Sequence, residues 1–154
     1  MSNITYTTVN ETELDRLAPL WLKLRDHHAG SATHFGLSYA GVTWDRRKEG
    51  LLRKAAGRLH LDAVRDGDTI VGYCITSVND ERIGEIESIF VEPACRRSGI
   101  GAGLMERALA WLNTMGVERT ILGVGEGNDS AIGFYRRFGF EVRTTIMEQV
   151  RRDD

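Results

Sequence analysis

Cysteine is scarce in this sequence: Cys74 and Cys95 are the only two among 154 residues. Two cysteines cannot build the disulfide framework of a small secreted domain, and both read as reduced thiols. No apolar run approaches the roughly 18 residues that a bilayer-spanning helix requires, so no membrane span is expected. The opening residues, Met-Ser-Asn-Ile-Thr-Tyr, lack the basic and apolar stretches of an export signal. A dominant charge is missing as well: 20 Lys and Arg stand against 22 Asp and Glu, a formal net charge of −2. Broad attraction to nucleic acid or to an anionic membrane needs a basic surface, so neither is an expected partner. No group of His, Cys, Asp and Glu has metal-ligand spacing, and no metal is expected. Internal repeats and low-complexity segments are absent. What is present, 42 % hydrophobic and 27 % charged residues, suits one water-soluble globular domain over residues 1–154, expected in the cytoplasm.

Periodicity divides the chain. Residues 4–9 read as an opening strand, with Asn10 or Thr12 as the cap of a helix after it. Leu14, Leu17, Trp21, Leu24 and His28 recur at spacings of three and four, the mark of an amphipathic helix. Residues 30–43 have no clean period and read as a loop, and 44–56 read as a second helix ending at Gly57. Alternation from Leu59 leads into Asp66-Gly67, a strong hairpin signal, and residues 69–78 and 84–91 continue the meander. The next helix carries Ile100, Leu104, Ala108, Trp111 and Met115 on one face and stops at Gly116. Residues 120–124 form a strand, 130–138 a short helix and 140–147 a closing strand. The pattern implies an α/β fold with a mixed sheet, antiparallel at first and then a β-α-β crossover.

Residues 96–103 read Arg-Arg-Ser-Gly-Ile-Gly-Ala-Gly, between a strand and a helix. The first N–H groups of a helix have no intrahelical partner, and the aligned peptide dipoles favour negative charge there. Glycine lets the backbone approach a phosphate, and arginines add charge-assisted contacts. A dinucleotide fingerprint would need glycine at Leu104 and a parallel unit before it, and this sequence offers neither.

The arrangement Arg96-x-x-Gly99-x-Gly101 instead resembles the pyrophosphate loop of the GCN5-related N-acetyltransferase (GNAT) superfamily. A second segment, Asn128-x-x-Ala131-x-x-x-Tyr135-x-x-x-Gly139-Phe140, is similar to the other signature of that family. The resemblance covers residues 59–147; the first 58 residues match in outline only. It implies a three-layer α/β (α+β) fold of GNAT type, with a mixed, mostly antiparallel central sheet, helices on both faces and a splayed strand pair. It also implies acetyl-CoA as co-substrate and a small-molecule or peptide amine as acceptor, attacked directly in a ternary complex. Dimers are common in the family, so a homodimer is one expected state.

Resemblance also suggests roles. The backbones of Ile89, Phe90 and Val91 would pair with the acetyl-pantetheine arm, and Arg96, Arg97, Ser98, Gly99, Ile100, Gly101 and Ala102 would wrap the pyrophosphate. Asn128 would hydrogen-bond the arm. Tyr135 would protonate the leaving thiolate, and Glu85 or Glu87 would serve as base; the sequence does not separate the two. Strand alternation gives both glutamates one face of the sheet, where a plain solvated face is the competing reading. His27, His34, Tyr39 and Trp44 fall where the family builds acceptor sites. Cys95 reads as an ordinary loop thiol and His28 as a packed ring. Gly123, Gly125 and Gly127 suit a strand end that bends away. A non-catalytic acyl-CoA-binding domain of the same fold is the alternative function.

Overall fold

The computed structural model describes residues 3–55 and 57–151. Two compact units emerge from the contacts: one holds the described residues through Leu22 and from Thr43 to Gly123, the other residues 23–42 and those from Val124 onward.

The first unit is built on a five-stranded sheet in the order β1 (Ile4–Val9), β2 (Leu59–Asp66), β3 (Thr69–Val78), β4 (Ile83–Val91) and β5 (Arg119–Leu122). Neighbours are antiparallel except for β4 and β5, which run parallel, so the expected mixed, mostly antiparallel sheet is present. Gly67, at φ 62°, makes the tight β2–β3 turn that Asp-Gly signals. A bulge interrupts β4: Ile75 faces Ser88 and Thr76 faces Ile86, which leaves Glu87 as the extra residue.

Helices cover both faces of this sheet. Helix α4 (Ile100–Thr114) buries Ile100, Leu104, Met105, Ala108 and Leu112 against β2, β3 and β4. Its stripe differs from the expected one at the far end. Leu112 is buried, Trp111 stacks on His60 at 5.1 Å, and Met115 is 36 % exposed. Two glycines allow the close approach, since a Cβ on Gly103 would strike the Tyr6 ring and one on Gly84 would strike Leu112. On the α4 side, the fully buried Asp62 carboxylate accepts from Arg107 at 3.0 Å and Thr8 at 3.1 Å and pairs with His60 at 2.9 Å. A buried charge is tolerable only when so partnered.

Helix α3 (Trp44–Lys54) lies on the other side, capped by the Thr43 hydroxyl accepting from the Arg46 amide. It stops two residues short of the expected end, and Ala56 lies outside the described residues. Leu14, Leu17 and Leu51 are buried in this unit with Leu61 and Ile75. Where one amphipathic helix is expected after β1, the chain first makes a 3-10 segment, Glu11–Leu17, capped by Asn10. Helix α1 (Ala18–Ser31) comes next, and Pro19 fits its first turn, where no N–H is needed.

The second unit contains the end of α1, the short helix α2 (Gly36–Ala40) and α5 (Ser130–Arg136). The expected loop 30–43 is therefore partly helical. Within this unit the Glu126 carboxylate accepts from the amides of His34 at 2.5 Å and Phe35 at 3.4 Å. The Glu126 amide donates to the Tyr39 hydroxyl at 3.3 Å. The expected closing strand over 140–147 does not form. Residues 141–150 have no regular structure and are exposed, Ile146 at 89 % and Met147 at 91 %. Alternating side chains fit a strand only where an edge offers ladder partners, and this segment finds none.

Candidate active site

The strongest local feature lies between β4 and α4. A short 3-10 turn, Pro93–Cys95, leads into Arg96, after which Arg97 (φ 68°) and Gly99 (φ 83°) both take left-handed backbone. A non-glycine residue held there is unusual and marks a loop with a defined shape. Its braces are visible: the Ser98 hydroxyl donates to the Cys95 carbonyl at 2.7 Å, and Arg96 Nε donates to the Val91 carbonyl at 2.9 Å. The Arg96 guanidinium also lies 5.4 Å over the Phe90 ring. Arg96 thus holds the loop to the strand end, while Arg97 is left exposed.

Among the described residues, the amides of Arg97, Ser98, Gly99, Ile100, Gly101 and Ala102 have no hydrogen-bond partner, and the first satisfied amide is Gly103, donating to Gly99 at 3.0 Å. Six consecutive free donors, exposed from Arg97 to Gly99 and followed by a helix of 15 residues, are an arrangement that attracts anions.

The edge of β4 leads into that loop. β5 pairs with Ile83–Ile86 only, whereas β4 runs on to Val91, so residues 87–91 have no strand on that side. The Glu92 amide donates to the Val71 carbonyl at 2.8 Å, which makes Gly72–Val91 a non-hydrogen-bonded pair. By alternation Ile89 is in the same state, so the N–H and C=O of Ile89 and Val91 point away from β3. Arg96 uses the Val91 carbonyl; among the described residues no strand pairs with the Ile89 groups or the Val91 N–H. Phe90 differs from its neighbours, because its backbone turns toward Tyr73 in β3.

Just before this edge the two glutamates meet. Lys54 Nζ bonds to Glu85 Oε2 and lies 2.8 Å from Glu87 Oε2, so both carboxylates share one face. Glu87 is the more enclosed, with its side chain 4 % exposed against 21 % for Glu85. Ser77 Oγ donates to Glu87 at 2.6 Å, and Arg47 reaches its carboxylate at 3.3 Å and the carbonyl of the bulged residue at 2.9 Å. Burial pushes the Glu85 carboxyl up, the Glu87 charge adds to the effect, and Lys54 opposes it. Burial also works to raise Glu87, but hydrogen bonds from Glu85, Lys54 and Ser77 prevail and hold it below the ordinary carboxylate value. The two carboxyls are thereby shifted in opposite directions, Glu85 toward holding a proton and Glu87 toward keeping its charge.

In the second unit, the Asn128 amide donates to Gly125 and its carbonyl accepts from Ala131, so Asn128 starts the turn into α5. Tyr135 is half-buried on that helix, with its ring 5.4 Å from Phe134 and 6.4 Å from Phe140. Gly139, at φ 88°, ends the segment as a left-handed C-cap residue. His28 packs 6.0 Å from Tyr39, as a packed ring should.

The sequence pattern missed Arg47, Lys54 and Ser77. Arg47 and Lys54 are two turns apart on α3 and share a helix face, a spacing that was available to be read. Ser77 was not available, because its role depends on its register opposite Glu85.

Comparison with known proteins agrees with this geometry. A model of the acetyltransferase (GNAT) family matches residues 21–140. An uncharacterised N-acetyltransferase of Methanocaldococcus jannaschii is 35 % identical over 77 residues, 50 % of this chain and 34 % of that protein. The chain spans about a quarter to just over half of the length of the curated relatives it matches. A GCN5-related N-acetyltransferase from Ralstonia eutropha has the same fold, with a TM-score of 0.77 at 18 % identity over 96 % of this chain and 99 % of that one. An aminoglycoside N-acetyltransferase solved in complex with CoA superposes with a TM-score of 0.65 at 18 % identity, over 99 % and 97 % of the two chains. The loop, the truncated β5 and the family match converge: this chain belongs to the GNAT family of acetyltransferases.

Proposed function

We propose that the protein is an acetyl-CoA-dependent N-acetyltransferase that transfers the acetyl group directly to a primary amine, within one domain over residues 1–154. The observation that carries this reading is the run of free amides from Arg97 to Ala102 next to the open edge at Ile89. A diphosphate suits the first and an extended amide-bearing arm suits the second. CoA in the aminoglycoside enzyme of the same fold supports the choice of ligand.

Within this reading the Ile89 N–H donates to the thioester carbonyl as negative charge gathers on its oxygen. Glu85 takes the proton that the acceptor ammonium must lose before nitrogen forms its bond to the acyl carbon. The carbon–sulfur bond then breaks; the Tyr135 hydroxyl, in the role the family resemblance gives it, supplies a proton to the sulfur, and the proton that the new amide nitrogen sheds restores the hydroxyl. Glu87 remains ionised and holds the bulge. Asn128 bonds the arm.

Calorimetric titration with acetyl-CoA, combined with free-thiol release over a panel of primary amines, tests the proposal. Expected are saturable binding that weakens when Gly101→Asp adds a like charge to the loop, and amine-dependent thiol release. Binding without release across the panel favours the non-catalytic acyl-CoA-binding alternative. Absence of binding removes both readings.

A further inference from the structure

Lys54 is the residue that the proposed reaction leaves unexplained. It is the last residue of α3, with Ala55 as the C-cap, so its side chain projects from a helix end. Its ammonium bonds to Glu85 and lies 2.8 Å from Glu87, yet 39 % of the side chain is exposed. The immediate charges are two carboxylates against Arg47, a deficit of one positive charge that Lys54 makes up. A primary ammonium, with three donors, is thus a group that the two carboxylates can hold together. Glu87 lies two residues before Ile89 on β4, about 7 Å along a strand. A cation held between the carboxylates therefore stands one short step from the edge where the acyl group is proposed to lie.

We propose that Lys54 occupies the acceptor's ammonium position as an internal competitor, and that an incoming primary amine must displace it to reach Glu85. This rests on the acetyl-transfer reading and deepens it: the acceptor is recognised as a primary ammonium group, and Lys54 sets how tightly. With Lys54 seated, only the fraction of molecules in which it has swung out is competent, and apparent acceptor affinity falls by that fraction. The bond partners limit what else Lys54 does, since Ser77 and Arg47 hold Glu87 without it.

The experiment compares wild type with Lys54→Met, Lys54→Gln and Lys54→Arg, using n-butylamine as the acceptor probe at pH 8. Melting curves first establish that each variant folds. Binding of n-butylammonium is tracked by NMR of carboxyl-labelled glutamate, and turnover by thiol release. In the Met and Gln variants KM and the binding midpoint are expected to fall about tenfold, with kcat within threefold of wild type, while Lys54→Arg stays near wild type. The acid limb of the pH–rate profile should also move upward in the two neutral variants, because Glu85 loses the cation that opposes its protonation; a merely structural lysine would not move it. An unchanged or higher KM with kcat retained, or loss of kcat with KM constant, overturns the competitor role while leaving acetyl transfer intact. If no variant or wild type releases thiol, the acetyl-transfer reading fails instead. The NMR midpoints then decide the ammonium site alone, and equal midpoints in wild type and neutral variants sink it.

Discussion

Glu85 and Glu87 are the same residue type two positions apart, and their surroundings push them in opposite directions. Glu85 is only partly enclosed and its proton affinity is raised, the direction that suits the base role proposed for it. Glu87 is enclosed and carries a stabilised charge. Glu85→Gln is expected to lower kcat by roughly 10²–10³-fold with little effect on melting. In wild type the rate should rise with pH through a value above the ordinary glutamate range, a limb that the variant lacks. Glu87→Gln should do the reverse, lowering the melting temperature and mainly weakening the clamp on the bulge. Rate profiles and thermal melts of both variants check this, and equal kcat losses would remove the division of labour. At the sequence level the Glu-x-Glu spacing supplied both candidates. It offered no means of ranking them, because the ranking comes from Lys54, Arg47 and Ser77, which arrive from α3 and β3.

Elements were legible where local chemistry dictates them. The β2–β3 hairpin comes from Asp66-Gly67, and α4 from its glycine start and apolar stripe. The failures share a different cause. The bulge at Glu87 leaves no trace in an alternating sequence, since the same letters fit a regular strand. The stretch 140–147 alternates as a strand should, yet pairing is a property of two segments and not of one. In the sequence Gly103 reads only as part of the loop, and its packing role emerges from the contact between α4 and β1. Gly103→Ala would drive a methyl into the Tyr6 ring, and overpacking of this kind costs about 1–3 kcal/mol. Urea unfolding should show that loss with an unchanged m-value, and Tyr6→Ala in the same background should recover part of it.

Over the whole molecule, the buried Asp62 makes stability depend on acid. Burial works to raise its carboxyl, but His60 and Arg107 outweigh this and hold it below the ordinary value. A group with a depressed folded pKa contributes stability above the unfolded value, and that contribution is lost as pH falls through the folded one. The protein should therefore lose stability progressively below about pH 4. Asp62→Asn should flatten that limb while lowering stability at neutral pH, because Arg107 loses its ionic partner; denaturant melts at pH 3–7 measure both. The brevity of β5 has a consequence of another kind. A strand margin of about 16 Å, with polar backbone turned outward, is the sort of surface on which chains stick to one another. An extended ligand lying along residues 87–91, as proposed above, would also cover that margin against such adhesion.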